Sequence, residues 1–357
     1  MDPLVSICIV HYGRDEFLSR CIASIKSSTY NNIELIIINN NVSNDFQSAV
    51  YERRPTNIQL RYKKNKKNVG FAEGCNQGIE SAKGKYIFFL NNDIEIDDDC
   101  ISSLVEFAEN NPEIGILQPK MLDFVDRKNF HSSAAGGFID VLGYPFARGR
   151  IFDTVERDQG QYNDVVEVFW ACGAALFARI DVIVEVGLFD PDFFLYMEEI
   201  DLAWRVQLLG YKVVYNSSAK VYHIGCPNLG RKVFLRMYFD HRNSILMLIK
   251  NLSFANLLIF LPVRLGLELG TAIGSIASFR FFRGFAIFKA FGYLLTHSYT
   301  ILNKRRHVQS KRRVKDSILL SKIYHGSVAL NYFLGRVQKT TDLKGFQVTK
   351  FMSKGQR

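Results

Sequence analysis

FFLYMEEIDLAWR, residues 193–205, sets an aromatic and apolar run against three carboxylates, Glu198, Glu199 and Asp201. Ile200, Trp204 and Leu208 follow at helical spacing, which predicts a helix beginning near Met197. In that helix Asp201 and Arg205 stand at i and i+4, where an ion pair forms naturally. Acidic residues in a first turn are also favoured by the helix dipole. Each carboxylate therefore has a structural reading. The chemical reading is that one of them is a general base, held at a cleft by the aromatic wall before it.

Upstream of this stretch, apolar runs alternate with helical patterns. Residues 4–10 (LVSICIV), 34–38 and 86–90 suit buried parallel strands, and 60–63 a further one. Helices are expected through Leu18, Cys21, Ile22 and Ile25, after NVGFAEGCNQG (68–78) as far as Lys83-Gly84, and over 98–110. Residues 115–119 form a short strand, 123–165 loops with an edge hairpin, and 166–176 one strand broken at Gly173. Two strand-like pieces follow at 212–215 and 220–223. This alternation with short connections predicts a doubly wound α/β sheet. Such sheets bind ligands beyond the carboxyl ends of their strands. Three polar clusters fall there: His11–Arg14, Asn39–Asp45 and Asn91–Asp93.

The chain has 357 residues, and a 48% hydrophobic share that excludes wholesale disorder. Its six cysteines are scattered without a C-x-x-C, which points to reduced thiols rather than a disulfide or zinc framework. MDPLVSICIVHYGR lacks a basic start and a long apolar core, and is expected to be a first strand rather than a signal peptide. Charge is divided unevenly. Residues 231–357 carry 23 Lys and Arg against 4 Asp and Glu, although the whole chain is only +10, so the front is acidic. Rear helices are expected at 238–250, 254–279 and 281–302. Pro262, Arg264 and Glu268 interrupt the second, and Arg280, Arg283 and Lys289 punctuate the third, so none reads as a clean membrane span. Apolar helices edged with Lys and Arg suit an anionic membrane surface better than nucleic acid. The other reading is a helical subdomain packed on the front half or on a second copy, as a homo-oligomer.

Asn91-Asn92-Asp93 offers hard oxygen ligands suited to Mg²⁺ or Mn²⁺ on a diphosphate; the same residues also make a plain turn. His223, closing the strand KVYH, is either a satisfied structural residue or a nitrogen ligand to the same metal. The glycines of NVGFAEGCNQG serve either backbone amides near phosphates or close helix–sheet packing.

In this order the pieces resemble the family 2 glycosyltransferases, which have the GT-A fold. HYGR stands where the family has T-Y-N-R, and NNNVSND where it has D-N-x-S-x-D. NVGFAEGCNQG matches N-x-G-F-A-x-G-x-N-x-G, and FFLNND stands at the D-x-D variant N-P-D. FWACGAALFAR matches W-x-x-G-A. GLFDPDFFLYMEEIDLAWR matches G-x-F-D-x-x-F-F-x-Y-x-E-D-x-D-L-x-x-R. VYHIG and HRNSILMLIKN match the V-x-H-x-x-G and R-N-x-x-x-x-x-x-K-N segments that follow. The likeness covers about residues 4–251 and is nearest to bacterial rhamnosyltransferase-type enzymes of cell-surface polysaccharide assembly.

The resemblance implies a GT-A mixed sheet flanked by helices over residues 1–235, with a basic, apolar helical region over 236–357. It implies an inverting transferase that takes a sugar from a nucleotide-diphosphate donor, dTDP-rhamnose or a UDP-sugar. The acceptor would be a lipid-linked saccharide at the cytoplasmic face of the bacterial plasma membrane. Tyr12, Arg14 and Asn39 would hold base and ribose, with His11, Asn41, Asn68, Gly70 and Asn92 in the same donor site. Asn91 and Asp93 would face the diphosphate and its Mg²⁺ or Mn²⁺, with His223 as a further ligand. Glu199 falls at the family's base aspartate, with Glu198 and Asp201 as substitutes; Trp170, Gly173 and Ala174 would shape the acceptor side. Asn39, Asn91 and Glu199 replace usual aspartates, and Val42 looks like an insertion. The lack of a Q-x-x-R-W element argues against a processive synthase. The alternatives are a non-catalytic sugar-nucleotide-binding scaffold and a transferase with a soluble acceptor.

Overall fold

Strand β1 (Val5–His11) turns Val5, Ile7 and Ile9 to one side and Cys8 and Val10 to the other, and both sets are buried. A strand apolar on both faces needs cover on both, and the chain supplies it. In chain order β1 is followed by α1 (Asp15–Lys26), β2 (Ile33–Asn39), β3 (Gln59–Lys64), α2 (Phe71–Ser81), β4 (Tyr86–Leu90) and β5 (Ile94–Ile96). Then come α3 (Cys100–Asn110), β6 (Ile114–Asp123), β7 (Gly137–Ile139), β8 (Pro145–Ala147), β9 (Arg150–Ile151), β10 (Thr154–Val155), β11 (Val165–Glu167) and β12 (Ala175–Arg179). Helices α4 (Ile180–Val186) and α5 (Glu198–Leu208) precede the last strand, β13 (Lys212–His223). The rear contains α6 (Val233–Asn251), α7 (Phe254–Ala277), α8 (Phe281–Thr296) and α9 (Ser298–Lys311). The computed structural model describes residues 2–42, 47, 50, 58–131, 134–225 and 233–352; the expectations for Ser43–Asp45 and for Cys226 lie outside them.

The main sheet runs β11-β13-β6-β12-β4-β1-β2-β3, with β5 also paired to β13. Strands β3, β2, β1 and β4 are mutually parallel, β12 is antiparallel to both its neighbours, and β13 is parallel to β6. The sheet is therefore mixed. Parallel register brings His11 opposite Asn39 and Asn39 opposite Lys64, and Leu90 opposite Ile9. The ends that carry polar residues thus lie along one edge. α1 and α3 cover one face and α2 and α5 the other. α2 packs very close: a Cβ at Gly78 would stand 2.2 Å from Cys8 Sγ, and one at Gly74 2.6 Å from Val10 Cγ1. Of the two roles open to the glycine-rich stretch, close helix–sheet packing is what these two glycines serve.

Several sequence expectations need correction. The apolar run 166–176 is not one strand. Its first residues form β11 on the sheet edge, and after a non-strand passage β12 enters between β4 and β6. The two pieces at 212–215 and 220–223 are one strand with a register shift between Asn216 and Lys220. Within 123–165 lies a second, four-stranded antiparallel sheet, β10-β9-β8-β7. The segment expected as a helix over 281–302 is two helices, joined at His297 (φ −108, ψ 15). α7 is, among the described residues, a helix long and apolar enough to cross a membrane, with 24 residues and an 18-residue stretch of mean hydropathy 1.6. The charges that interrupt it in sequence, Arg264 and Glu268, point inward and pair at 2.6 Å. Leu258, Ile259, Val263 and Ile273 of α7 and Phe282, Phe285 and Phe288 of α8 are exposed instead.

Candidate active site

The loop before α5 is held in an unfavourable conformation. Phe194, Tyr196 and Met197 have φ of +61°, +70° and +69°, each an arrangement that costs a non-glycine residue about 1–3 kcal/mol. Side chains of α6 grip its carbonyls. Arg242 Nη2 donates to the carbonyls of Asp192 (2.6 Å) and Phe193 (3.1 Å). Asn243 Nδ2 lies within 3.0 Å of the carbonyls of Phe193 and Leu195 and 2.7 Å from that of Tyr196. The Phe194 carbonyl in turn accepts the Phe71 N–H at the start of α2 (2.7 Å). Gly70 sits there at φ +89°, where a Cβ would meet that same carbonyl at 2.5 Å. The glycine turn at Gly70 and the acidic loop are thus in contact.

The three carboxylates have three different settings. Asp201 is fully buried and bonded to Arg205 Nε (2.8 Å), Lys250 Nζ (3.0 Å) and Asn251 Nδ2 (2.9 Å). Burial raises its pKa, but the charges of Lys250 and Arg205 outweigh that and hold it below the usual range. Lys250 also bonds Asp190 (2.6 Å), which pairs with Lys304, and Lys304 reaches Asp192 (2.5 Å). This network fastens α5 and the preceding loop to α6 and α9. Glu198 is buried inside, its pKa raised well above normal by burial and then by Glu199. Glu199 lines an open cleft of about 330 Å³, together with Phe146, Phe152, Trp170, Arg236 and Asp240. Burial raises its carboxyl to about 7, against the pull of backbone N–H groups. One carboxyl oxygen of each glutamate has no hydrogen-bond partner among the described residues. A buried polar atom without a partner is uncommon and marks a candidate for function.

Of the residues expected on the acceptor side, Trp170 lines this cleft, while Gly173 and Ala174 are not among its lining residues. Trp170 is fixed by its indole N–H donating to the Phe138 carbonyl (2.8 Å). Gly173 leaves room between Phe71 and Glu199: a Cβ there would stand 3.1 Å from Phe71 Cε1 and 3.6 Å from Glu199 Cβ. Ala174 accepts the Asn91 N–H at 2.9 Å and so joins this side to the Asn91-Asn92-Asp93 turn.

Of the residues expected to hold the donor, Tyr12 is half exposed and Arg14 lies over the Phe17 ring at 5.8 Å. His11 is fully buried, with Nε2 3.3 Å from Asp15 and Nδ1 accepting the Asn92 amide at 3.1 Å. His11 and Asn92 therefore brace the site from behind. Asn39 donates to Tyr62 Oη (2.7 Å) and accepts the Asn41 N–H (2.8 Å), while Asn41 reaches the Gly13 carbonyl (3.2 Å). Asn68 accepts the Gly70 N–H at 2.9 Å. Sequence reasoning assigned nothing to Asn40 and Asn65. Asn40 binds the Gly70 carbonyl (3.0 Å), and Asn65 binds both Asn40 (2.8 Å) and Gln77 (3.0 Å), so these buried amides tie β2 to α2. Nor did it give roles to Arg242, Asn243 and Lys250, although the R-N and K-N pairs of HRNSILMLIKN signalled them.

Asp93 and His223 come together, Oδ1 to Nε2 at 3.2 Å. Burial would raise Asp93, but the hydrogen bond and charge of His223 outweigh it and hold the carboxylate below its usual range. His131, missed in the sequence, packs edge-on against His223 at 4.4 Å. Among the described residues no group of three or more His, Cys, Asp or Glu is gathered as a metal cage. An ionised carboxylate beside an imidazole nonetheless fits Mn²⁺ or Mg²⁺ when diphosphate and water supply the remaining ligands.

Comparison with known proteins bears on the fold and the enzyme class. Residues 6–175 match the family model for glycosyl transferase family 2. N-acetylglucosaminyl-diphospho-decaprenol L-rhamnosyltransferase of Mycobacterium tuberculosis is 25% identical over 264 residues, covering 70% of this chain and 85% of its own. Poly-beta-1,6-N-acetyl-D-glucosamine synthase of Staphylococcus epidermidis is 26% identical over 220 residues, 60% of this chain and 48% of that protein, so the chain spans about half the synthase. Among solved structures, the mannosyltransferase PcManGT of Pyrobaculum calidifontis, in complex with GDP-Man and Mn²⁺, superposes with a TM-score of 0.51 at 12% identity. That match covers 94% of this chain and 89% of that one. The fold is GT-A and the chain is a glycosyltransferase, with the family 2 model matched by residues 6–175.

Proposed function

We propose that the protein moves one sugar, with inversion, from a nucleotide-diphosphate sugar to a lipid-linked saccharide at the cytoplasmic face of the bacterial plasma membrane. The donor is dTDP-rhamnose or a UDP-sugar. The observation that carries this reading is Glu199: a cleft-facing carboxylate with an unpartnered oxygen and a pKa raised to about 7. A base is most effective when its pKa lies near the working pH. Glu199 accepts the proton of the acceptor hydroxyl as that oxygen attacks the anomeric carbon from the side opposite the departing nucleotide diphosphate. Trp170, Phe146 and Phe152 give the acceptor sugar flat apolar faces to lie on. Tyr12, Arg14, Asn39, Asn41, Asn68 and Gly70 surround the nucleotide. Asp93 and His223, with Asn91 beside them, are the residues that would hold Mg²⁺ or Mn²⁺, which when bound neutralises charge on the leaving diphosphate.

The lipid-linked acceptor draws support from the name of the mycobacterial relative and from the rear of the chain. α7 turns Arg264 and Glu268 inward, and α7 and α8 expose Leu, Ile, Val and Phe. A cleft of about 410 Å³ among α6, α7 and α8 is lined by apolar residues such as Ile249, Leu261, Leu265 and Phe291. In this reading residues 1–235 do the chemistry. Those from 236 onward hold the acidic loop and rest on the anionic lipid surface.

A thermal-shift screen of nucleotide sugars with Mg²⁺ or Mn²⁺ tests the donor, since ligand binding to the folded state raises the melting temperature. A stabilising donor that is then turned over on a lipid-diphosphate saccharide supports the reading. No stabilisation and no turnover across the panel supports a scaffold. Flotation of the intact chain with anionic liposomes tests the membrane surface, and failure to float removes that part.

A further inference from the structure

The cleft that Glu199 lines holds a second carboxylate. α6 enters it with Arg236 and Asp240, one helical turn apart. Arg236 Nε stands 3.7 Å from Asp240 Oδ2, longer than a hydrogen bond, and leans over the Tyr196 ring at 5.8 Å. The Asp240 side chain is 39% exposed, and Asp240 lines the cleft. Trp170, Phe146 and Phe152 form the apolar wall of the same space, and Arg150 of β9 is the other cation at its edge. A flat apolar wall with a carboxylate at its rim is the arrangement that binds a sugar ring: the wall takes the C–H face and the carboxylate takes an O–H or N–H.

We propose that Asp240 is a positioning residue of the acceptor subsite, accepting a hydrogen bond from the acceptor-sugar hydroxyl or amide N–H adjacent to the attacking hydroxyl, and so holding that hydroxyl against Glu199. This rests on the reading of Glu199 as base. The chain after residue 235 then contributes to acceptor recognition as well as to support.

Asp240 has a second effect through its charge. Glu199 is faced by Glu198 on its own helix, by Cys75 from α2, by Arg236 and Asp240 from α6, and by Arg150. Asp240 is faced by Arg236 and His241 on α6 and by Glu199 across the cleft. Protein packed around Asp240 raises its own pKa to about 6, against Arg236 and His241. Above that pH its negative charge disfavours ionisation of Glu199. Removing the charge lowers the Glu199 pKa.

The test uses the full chain with Asp240→Asn, Asp240→Glu, Arg236→Gln and Glu199→Gln. The probe acceptor is N-acetylglucosaminyl diphosphate on a short alkyl chain, with dTDP-rhamnose and UDP-sugars as donors. For Asp240→Asn, which keeps an acceptor oxygen but loses its charge, the acceptor KM should rise about fivefold to tenfold, the difference between a charged and a neutral hydrogen bond. The donor KM should hold, and the acidic limb of the pH–rate profile should move to lower pH. Asp240→Glu should recover part of the acceptor KM, and Arg236→Gln should affect it less than Asp240→Asn. A substrate-free arm covers the case in which the probe is not used. The melting-temperature gain from Glu199→Gln at alkaline pH should be smaller in an Asp240→Asn background. An inactive Glu199→Gln with an Asp240→Asn variant unchanged in acceptor KM and pH profile overturns this proposal and leaves the base in place. A Glu199→Gln variant with full transfer overturns both. Equal loss of kcat and of both substrates' KM in Asp240→Asn, with a lower melting temperature, marks a structural role and overturns it too.

Discussion

Asn243 donates its side-chain amide to the carbonyl of Tyr196 at 2.7 Å, within the loop where Tyr196 and Met197 hold positive φ. A residue from the rear helices thereby fixes the backbone that aims Glu199. Asn243→Ala leaves the carbonyls of Phe193, Leu195 and Tyr196 without this donor. Each buried polar group left unpaired costs about 1–3 kcal/mol. We expect a lower melting temperature and a fall in kcat larger than the change in donor KM. Calorimetry and steady-state kinetics check both.

Lys250 is almost fully buried between Asp190 (2.6 Å) and Asp201 (3.0 Å). Lys250→Met leaves buried carboxylates with one cation fewer, and breaking such a pair costs about 3–5 kcal/mol. Asp190 and Asp201 are both held below the usual carboxylate range, Lys250 being the first charge acting against burial in each. For such groups the stabilisation is present above the unfolded carboxylate pKa and lost as pH falls through the folded value. The variant's deficit should therefore be full at neutral pH and shrink in acid. Denaturant unfolding at several pH values measures it.

Glu199→Gln removes the proposed base and should lower kcat by about 10²–10⁴-fold. In the wild type, activity should rise with pH through about 7, where Glu199 ionises. The stability effect has the opposite sign. A carboxyl with its folded pKa raised from 4.5 to about 7 costs the fold free energy that grows as pH climbs through that window. Glu199→Gln should melt higher than the wild type above pH 7, and the gain should vanish below about pH 4.5.

Asp93→Ala and His223→Ala separate the metal reading from a plain turn. Each should weaken Mn²⁺ binding in the presence of nucleotide diphosphate, with Asp93→Ala the larger effect because it removes charge as well as a ligand. Titration calorimetry reads this without turnover. Unchanged Mn²⁺ affinity in both variants counts against the pair as ligands.

Gly78→Val would drive a side chain into Cys8 Sγ, which lies 2.2 Å from the site of its first carbon. Overpacking of this kind costs about 1–3 kcal/mol or more. The melting temperature should therefore fall, whereas Gly270→Ala, with open space around it, changes packing little.

Local pattern alone determined much of this protein. Apolar runs bounded by polar clusters predicted β1, β2 and β4, because a strand buried on both faces must be apolar throughout. The helix after Met197 and the Asp201–Arg205 pair followed from spacing on one helix. The family motifs carried the chain to a glycosyltransferase. Tertiary structure alone decided what spacing does not encode. Glu198 and Glu199 are neighbours in sequence, yet one is enclosed and the other faces the cleft, because α5 presents successive residues about 100° apart. Arg264 and Glu268 read as breaks in an apolar helix and proved to be its inward face, since they meet partners such as the Leu142 carbonyl that are distant in sequence. The strained loop, the α6 residues that hold it, and the meeting of Asp93 with His223 all depend on contacts between segments far apart in the chain. One-dimensional periodicity carries no information on those contacts, and the packing of α6 on α5 supplies it.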